Sequence, residues 1–421
     1  MSIITDGEPS KKLYAFAKKQ LATIVALDLP AKSVTLNGYL IRAHQQDGIE
    51  KVFISEPERT LMSSGANIFG TLGTGDTQDV QYFTPVKHRS TWLEISAGLT
   101  HAMGIQSDGS LWTWGGADDQ WQSGQLGTDP PPTLKPAIIP GAWVAASAGS
   151  SFSIAIKADG TLWAWGGNLV GGDVLYPSIP TQIGSSAWDF ISAAADYSFG
   201  IKTDGTLWNL NIHLGSRGPG EDGRVPYTVD SGSWMAVSAA DSYCLGIKSD
   251  GSLWSWALES TISIPNPASV LGRGNIPVTY TPAQVAGGPW AAVKACATHA
   301  LGVKADGTLW VWGNDTYGQL GLGGSVVQYT PVQVGSDLWS SVDGTQFQSG
   351  AVRLDGTVWR WGWGQLTPLM IGAAPRYRRY CMFDYGTGFG PYIGYHMVIA
   401  GWRGHPDYLQ MKRTVGVAYN V

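Results

Sequence analysis

The sequence contains few cysteines and no long apolar run. Three cysteines in 421 residues, Cys244, Cys296 and Cys381, are too few and too scattered for a disulfide framework or a Cys-x-x-Cys metal site. No stretch reaches the roughly 18 consecutive apolar residues of a membrane span, and Leu21–Leu27 is too short an apolar run for a secretory leader. We therefore expect a protein outside the membrane that does not follow the general secretory route.

Charged residues are also scarce, and positive charge is not in excess. Only 14% of the residues are charged, and the formal net charge is -5. Sequence-independent binding of nucleic acid needs a surplus of Lys and Arg on one face. We therefore expect no nucleic-acid partner.

Glycine and tryptophan, in contrast, are abundant, with 56 and 20 residues, and many of them belong to an internal repeat. One copy comprises residues 92–98, the run His101–Gln106 and the segment Asp108–Gly115. The copies recur about every 45 to 56 residues, each with an Asp-Gly pair between two alternating apolar runs. Six are plain, at Asp108, Asp159, Asp204, Asp250, Asp306 and Asp355.

A seventh, divergent copy occupies residues 58–65, where Leu61 aligns with the leucine of the Leu-Trp-x-Trp segment. A proline-led segment closes each copy, at Pro85, Pro136, Pro180, Pro226, Pro282, Pro331 and Pro368. The number of closing segments therefore equals the number of hairpins, seven.

The repeat has the properties of a small antiparallel sheet. Asp-Gly between alternating runs indicates a two-residue hairpin turn, because glycine accepts the positive φ that such turns require. The two tryptophans of Leu-Trp-x-Trp lie on one face of a strand, and an isolated sheet cannot bury them, so we expect the sheets to stack around an axis. Since 17 of the 20 tryptophans fall at three repeat positions, only Trp121, Trp363 and Trp402 are candidates for binding.

The segments Ser-Ala-Gly-x-x-His, Ile-Lys-x-Asp-Gly-Thr-Leu-Trp and 312–321 resemble the repeat of the regulator-of-chromosome-condensation family. The resemblance covers about residues 51–372 and implies an all-β fold, a seven-bladed β-propeller completed by an early strand. Val52–Ser55 is our candidate for that strand, and Lys157–Gly166 is most similar to the bacterial and bacteriophage branch. Family members include an exchange factor for a small GTPase, an inhibitor of β-lactamases and phage propellers, so the fold does not determine the function.

No residue pattern indicates catalysis. His101 and His299 occupy a position that other copies fill with Phe or Tyr, which indicates packing. The remaining histidines lack metal-ligand spacing, and the segment 73–79 is more typical of a turn than of a calcium loop. We predict no enzyme, no cofactor and no metal site; an enzyme with acidic residues converging in the channel is a weaker alternative.

Two arms flank the predicted propeller, residues 1–50 and 373–421. After Ser10, apolar residues recur at helical spacing opposite lysines, which predicts an amphipathic helix. This helix could pack on the propeller, on a partner subunit or, least favoured, on a membrane surface. The C-terminal arm is rich in Tyr and Gly, and its alternating runs at 395–400 and 414–421 could add to a sheet edge of this or a neighbouring subunit. The candidate assembly residues are Leu13, Phe16, Leu21, Arg376, Arg378, Arg379 and Trp402.

The variable segments after Leu-Trp-x-Trp should share one face, opposite the Asp-Gly turns, where binding surfaces are usually built. The candidate partner-binding residues on this rim are Trp121, Tyr176, Arg217, Tyr317 and Trp363. Our leading hypothesis is a non-enzymatic bacteriophage virion component, in the tail or on the capsid surface. Its arms would bind other structural proteins and its rim a host surface protein or glycan. The alternative is a protein-binding regulator or inhibitor in the cytoplasm.

Overall fold

The computed structural model describes most of the repeat region and several strands outside it. The described ranges are 61–86, 92–116, 124–128, 133–166, 178–194, 197–210, 226–258 and 267–372, together with the backbone of the strands 2–5, 33–36, 39–46, 49–55, 377–384 and 394–400. Within these ranges the protein is all-β, and its one helix is the four-residue α1 (Pro267–Val270). That helix is too short to cross a membrane, and the described residues contain no other.

The first four strands form a sheet of their own, in the order β1-β4-β3-β2. They are β1 (Ser2–Thr5), β2 (Ser33–Leu36), β3 (Tyr39–Gln46) and β4 (Ile49–Ser55). The remaining described strands form three four-stranded and two seven-stranded antiparallel sheets. In each seven-stranded sheet one long strand, Thr181–Ala193 or Gln328–Gly344, pairs on both sides and divides the sheet into two four-stranded units. The first unit combines the two ends of the repeat region, in the order β29-β30-β5-β6. Its strands are β5 (Leu61–Gly65), β6 (Val80–Pro85), β29 (Tyr377–Asp384) and β30 (Gly394–Ala400).

The other six units follow the chain. The second and third contain β7 (Trp92–Ala97), β8 (His101–Gln106), β9 (Leu111–Gly115), β10 (Thr133–Ile139), β11 (Trp143–Ala148), β12 (Phe152–Lys157), β13 (Thr161–Gly166) and β14 (Thr181–Ala193). The fourth and fifth contain the second half of β14, β15 (Ser198–Lys202), β16 (Leu207–Asn209), β17 (Tyr227–Asp230), β18 (Trp234–Ala239), β19 (Tyr243–Lys248), β20 (Leu253–Ala257) and β21 (Ala283–Val285). The last two contain β22 (Trp290–Ala295), β23 (His299–Lys304), β24 (Thr308–Gly313), β25 (Gln328–Gly344), β26 (Gln348–Arg353), β27 (Val358–Gly362) and β28 (Gln365–Gly372).

The Asp-Gly hairpin is held by a chain of side-chain hydrogen bonds that recurs from unit to unit. In the third unit the Asp159 carboxylate accepts hydrogen bonds from the backbone N–H and hydroxyl of Thr161, at 3.0 and 2.6 Å. The same hydroxyl accepts a bond from Trp163 Nε1 at 2.8 Å. Lys157 Nζ lies 3.4 Å from the centroid of the Trp163 ring, which adds a cation–π contact. The repeated residues therefore define the turn through contacts within a single hairpin.

The core lies between neighbouring sheets, where Met103 and Leu111 of one sheet pack against buried residues of the next. Within each sheet, the tryptophans pack edge to face. Trp143 and Trp165, for example, are both buried, with ring centroids 6.0 Å apart. The first strands of the units, β7, β11, β14, β18, β22, β25 and β29, each contact the next, and β29 also contacts β7. This succession is the arrangement of sheets that pack around a common axis.

Strand directions give this arrangement two distinct faces. The Asp-Gly turns lie at one end of the sheets, which we call the turn face. The connections between first and second strands and between third and fourth strands lie at the opposite end, which we call the loop face. Because Leu61 at the start of β5 pairs with Ile399 near the end of β30, the chain enters and leaves the repeat region at the turn face.

The sequence-based expectation for the completing strand is wrong. Val52–Ser55 lies in β4, which pairs with β3 along its length and with β1 in parallel, so its backbone is satisfied in the N-terminal sheet. The partner of β5 is instead β30, which contains the alternating run at 395–400. The predicted helix with Leu13, Phe16 and Leu21 lies outside the described residues, and the N-terminal elements that the structure describes are strands.

Candidate partner-binding site

Three aromatic side chains from adjacent sheets meet on the loop face. Tyr317 lies in the connection between β24 and β25, Phe347 between β25 and β26, and Trp363 in the turn between β27 and β28. Their ring centroids are separated by 4.7 Å for Tyr317–Phe347, 5.1 Å for Phe347–Trp363 and 5.5 Å for Tyr317–Trp363. We call these three residues the aromatic cluster. It unites two residues predicted for the rim, Tyr317 and Trp363, with Phe347, which sequence reasoning had assigned to packing.

Backbone hydrogen bonds hold the three segments of the aromatic cluster together. The N–H of Trp363 donates to the carbonyl of Phe347 at 3.2 Å, and the N–H of Gly364 donates to that of Tyr317 at 2.9 Å. Tyr317 remains 40% exposed, whereas Phe347 and Trp363 are half-buried. The cluster is therefore a fixed group of rings with one face open to solvent.

Trp363 has an unusual backbone conformation. It is the one non-glycine residue with positive φ among those described, at 51°, and Gly364 follows at 85°. Gly362 pairs with Gln365, so Trp363 and Gly364 form a two-residue hairpin turn. Both turn residues have positive φ, and turns of this type favour Asn-Gly. A tryptophan at the first position costs about 1–2 kcal/mol, and ring contacts worth about 0.5–1.5 kcal/mol each offset this strain.

The surroundings of the aromatic cluster combine one exposed apolar side chain with polar ones. Leu366 is 41% exposed and lies so close to the Tyr317 loop that a Cβ on Gly318 would come within 2.7 Å of its Cδ2. The neighbouring polar side chains bond to their own chain. Gln319 Oε1 accepts from the N–H of Tyr317 at 2.9 Å, and Gln365 Nε2 donates to the carbonyl of Thr367 at 2.9 Å.

The two-residue turn at Trp363 departs from the usual construction of the loop face. In four other places a loop of one sheet covers the second tryptophan of the next sheet and accepts a hydrogen bond from its Nε1. The pairs are Trp114 with Thr71 (2.8 Å), Trp165 with Gln125 (2.9 Å), Trp312 with Val270 (2.9 Å) and Trp361 with Gln319 (2.8 Å). After β27 there is no such loop, and the next sheet has Ser64 at the tryptophan position. The aromatic cluster thus marks a place, among the described residues, where this interlock is missing.

His101 and His299 are packing residues, as predicted. Both are fully buried, and burial lowers the pKa of each to about 3. His101 Nε2 lies 2.8 Å from Ser153 Oγ in the next sheet, and His299 Nε2 lies 2.7 Å from Ser349 Oγ. Each serine hydroxyl donates to a glutamine carbonyl, so each imidazole is assigned as the neutral Nε2–H tautomer.

Cys296 and His299, which adjoin through their backbones, do not form an activated nucleophile. Cys296 donates its N–H to the carbonyl of His299 at 2.9 Å. Burial raises the pKa of the Cys296 thiol and lowers that of the imidazole, which is the reverse of a thiolate–imidazolium pair. Among these residues there is also no group of three His, Cys, Asp or Glu placed to hold a metal ion.

The segment 73–79 is a hydrogen-bonded turn. Asp79 Oδ1 accepts from the N–H of Asn67 at 2.9 Å, and Asp76 Oδ1 accepts from the hydroxyl of Thr74 at 3.0 Å. These carboxylates act within the protein, in agreement with the sequence-based preference for a turn over a calcium loop.

Most other predicted site residues cannot be placed. Those outside the described residues are Trp121, Tyr176, Arg217, Leu13, Phe16, Leu21, Arg376 and Trp402. Arg378 and Arg379 lie on β29, in the unit that joins the two ends of the repeat region.

Comparisons with known proteins agree with this architecture. Models of the regulator of chromosome condensation (RCC1) repeat match residues 143–171, 291–319 and 306–347. This chain carries RCC1-type repeats. The yeast RCC1 protein Prp20, solved bound to Kap60, has a TM-score of 0.67 at 15% identity over 85% of this chain and 92% of its own. Human WBSCR16 has a TM-score of 0.65 at 13% identity over 82% and 99%.

Two Arabidopsis thaliana proteins match part of this chain. The ultraviolet-B receptor UVR8 is 29% identical over 168 residues, 37% of this chain and 37% of UVR8. The mitochondrial RCC1 domain-containing protein RUG3 is 29% identical over 146 residues, 34% of this chain and 30% of RUG3. The matches therefore span about a third of these relatives, and the two structural similarities establish the propeller-type fold alone.

Proposed function

We propose that this protein is a non-enzymatic, seven-bladed β-propeller that binds a partner protein through its loop face. The observation that carries this function is the aromatic cluster. A fixed, partly exposed group of Tyr, Phe and Trp is the composition typical of the centre of a protein interface. Protein binding also agrees with the relatives, since the yeast RCC1 Prp20 was solved with Kap60 and studied for binding to Gsp1p and histones.

The seven-bladed ring is supported by its proposed closure. The unit β29-β30-β5-β6 combines two C-terminal strands with two early strands, and β29 contacts both β25 and β7. Such a joint unit would close the ring without leaving a gap between the first and last sheets.

The absence of enzymatic activity remains part of the proposal. It is supported by the neutral, buried state of His101 and His299 and by the raised pKa of the Cys296 thiol. A screen for hydrolase and GTPase activity on the full chain would contradict it if turnover survived repurification and disappeared on unfolding.

Photo-crosslinking tests the proposed face. A photoreactive amino acid replaces Thr316 on the loop face in one variant and Asp159 on the turn face in another; both positions are exposed. In the source cells, we expect position 316 to form a protein crosslink whose product has a discrete mass. We expect no crosslink of equal yield from position 159. Equal yields, or crosslinks from 159 alone, would refute the loop face as the binding face.

The narrower hypothesis, that the protein is a virion component, remains a proposal. The location of the protein, in the virion or alternatively in the cytoplasm, is also a proposal. It is supported by the two chain ends, which both leave the propeller at the turn face and so could anchor it there. Light scattering of the full chain and of chains lacking residues 1–55 or 401–421 tests self-assembly; the N-terminal cut removes the whole sheet β1-β4-β3-β2. Residues 377–400 are kept because β29 and β30 pair with the propeller. An oligomer that becomes a monomer on truncation supports anchoring, whereas a monomer throughout contradicts self-assembly by the arms.

A further inference from the structure

We infer that the aromatic cluster and Leu366 together bind an uncharged, apolar segment of a partner protein. This inference rests on the proposed protein-binding function and specifies the chemistry of the partner. Leu366 lies beside Gly318, the residue that follows Tyr317, so the four side chains share one part of the loop face. Leu369 and Met370, 48% and 47% exposed, extend the apolar character along β28.

The ring geometry excludes a site for a quaternary ammonium group. Such sites surround the cation with separated aromatic faces. Here the centroids lie only 4.7 to 5.5 Å apart, so the rings contact one another and leave no space between them. The cluster therefore presents its outer surface to a partner.

The polar groups around the cluster disfavour a glycan. A sugar needs side-chain donors and acceptors beside the aromatic ring to bond its hydroxyls. Gln319 and Gln365 bond to the backbone of their own chain, and Asn314 Oδ1 accepts from the hydroxyl and the N–H of Thr316, at 2.7 and 3.0 Å. An apolar segment needs no such groups, and the absence of charge among the four side chains matches an uncharged partner.

The conformation of Trp363 indicates that this arrangement has a use beyond folding. An Asn-Gly turn would form the same hairpin without strain. Retaining a tryptophan at φ 51° places a large ring beside Tyr317 and Phe347 in a fixed orientation, so little side-chain entropy is lost on binding. Strain of this kind is typical of functional positions.

A displayed library of random dodecapeptides, selected on the immobilised full chain, tests the inference. The best peptide is then measured by fluorescence anisotropy at 50 and 500 mM NaCl. We expect Leu-, Ile- and Phe-rich peptides whose affinity changes less than two-fold with salt. Trp363→Asn and Tyr317→Ser should each weaken binding at least ten-fold. Tyr280→Ser, which alters a 61% exposed tyrosine outside the cluster, should leave binding unchanged.

The outcomes separate this inference from the proposed function. The inference of an apolar partner is overturned by any one of four results. These are no enriched peptide, charged peptides whose binding depends on salt, binding that the cluster variants do not weaken, and cluster-dependent binding on a glycan array. The proposed function fails separately, when position 316 yields no crosslinks. Thermal melts that stay within a few degrees of the parent show that the variants are folded, and Tyr317→Phe, which keeps the ring, should retain binding.

Discussion

Lys294 Nζ lies 2.7 Å from Asp343 Oδ1, and this ion pair joins β22 to β25 at a position where other first strands use serine. The hydroxyls of Ser96, Ser147, Ser192 and Ser238 each accept a hydrogen bond from a backbone N–H of the next first strand, at 2.9 to 3.2 Å. One seam between sheets therefore uses charge where four others use a neutral hydrogen bond.

This difference predicts a non-additive pair of substitutions. Lys294→Met leaves the Asp343 side chain, 8% exposed, without its cation and should lower the free energy of unfolding by about 1–3 kcal/mol. The double variant Lys294→Ser/Asp343→Ser restores the serine pattern and should recover most of the loss. Urea unfolding measures the free energy of unfolding of both variants. A double variant less stable than Lys294→Met would contradict the expectation that two serines can replace the ion pair.

The two buried histidines predict sensitivity to acid. Their folded pKa of about 3 lies below the unfolded value of 6.5, so the unfolded chain binds more protons between these values. Stability should therefore fall as the pH drops below 6.5, by about 1.4 kcal/mol per pH unit for each histidine. His101→Phe, which copies Phe152, should reduce this slope in urea titrations between pH 6.5 and 4.5. An unchanged slope would show that His101 is not held neutral.

A matched pair of glycines tests the interlocking loops. Gly272 and Gly274 both have positive φ, at 68° and 93°, but a Cβ on Gly272 would lie 2.8 Å from Trp312 Nε1 whereas a Cβ on Gly274 meets nothing within 4 Å. Gly274→Ala should cost about 1–2 kcal/mol from the backbone alone. Gly272→Ala should cost about 1–3 kcal/mol more, because the indole must move. Equal losses in thermal and urea unfolding would argue against the loop contact.

Asp315 predicts a stabilising substitution. Burial raises the pKa of its carboxyl to about 6, and its Oδ1 accepts from the N–H of Leu320 at 2.8 Å. Asn67 makes the equivalent bond to Leu72 in another loop without a charge. Because the folded pKa exceeds the unfolded one, this carboxyl lowers stability as the pH rises from about 4 to 6.

Asp315→Asn should raise the free energy of unfolding by about 1–2 kcal/mol at pH 7.5, and the gain should disappear near pH 4. A gain that is equal at both pH values would assign the effect to packing instead of charge. Asn314→Ala, at the adjacent position, controls for general changes in the loop.

The repeated hairpins were predictable because each is specified locally. Asp159, Thr161 and Trp163 bond to one another within five residues, so their spacing in the sequence determines the turn. The packing role of His101 was also predictable, since Phe152 occupies the same position in the next copy.

The parts that sequence reasoning missed depend on distant contacts. β5 pairs with β30 more than 300 residues later in the chain, and no local pattern at 51–55 distinguishes a strand of the repeat region from one of the N-terminal sheet. Phe347 joins the aromatic cluster only because two sheets bring Tyr317 and Trp363 beside it. Its assignment to packing rested on aligning it with buried Phe152, but the strand register gives that position to Gln348, which pairs with Gly362 as Phe152 pairs with Gly166.

The pairing of β5 with β30 also has a consequence for biosynthesis. A ribosome makes Leu61–Gly65 long before Gly394–Ala400, so β5 has no partner strand while the residues between them are synthesised. During that time the intervening units can form in order, but the nascent chain keeps an unpaired strand edge at β5. We expect premature termination before residue 394 to yield aggregation-prone chains, even though most of the repeats would be complete.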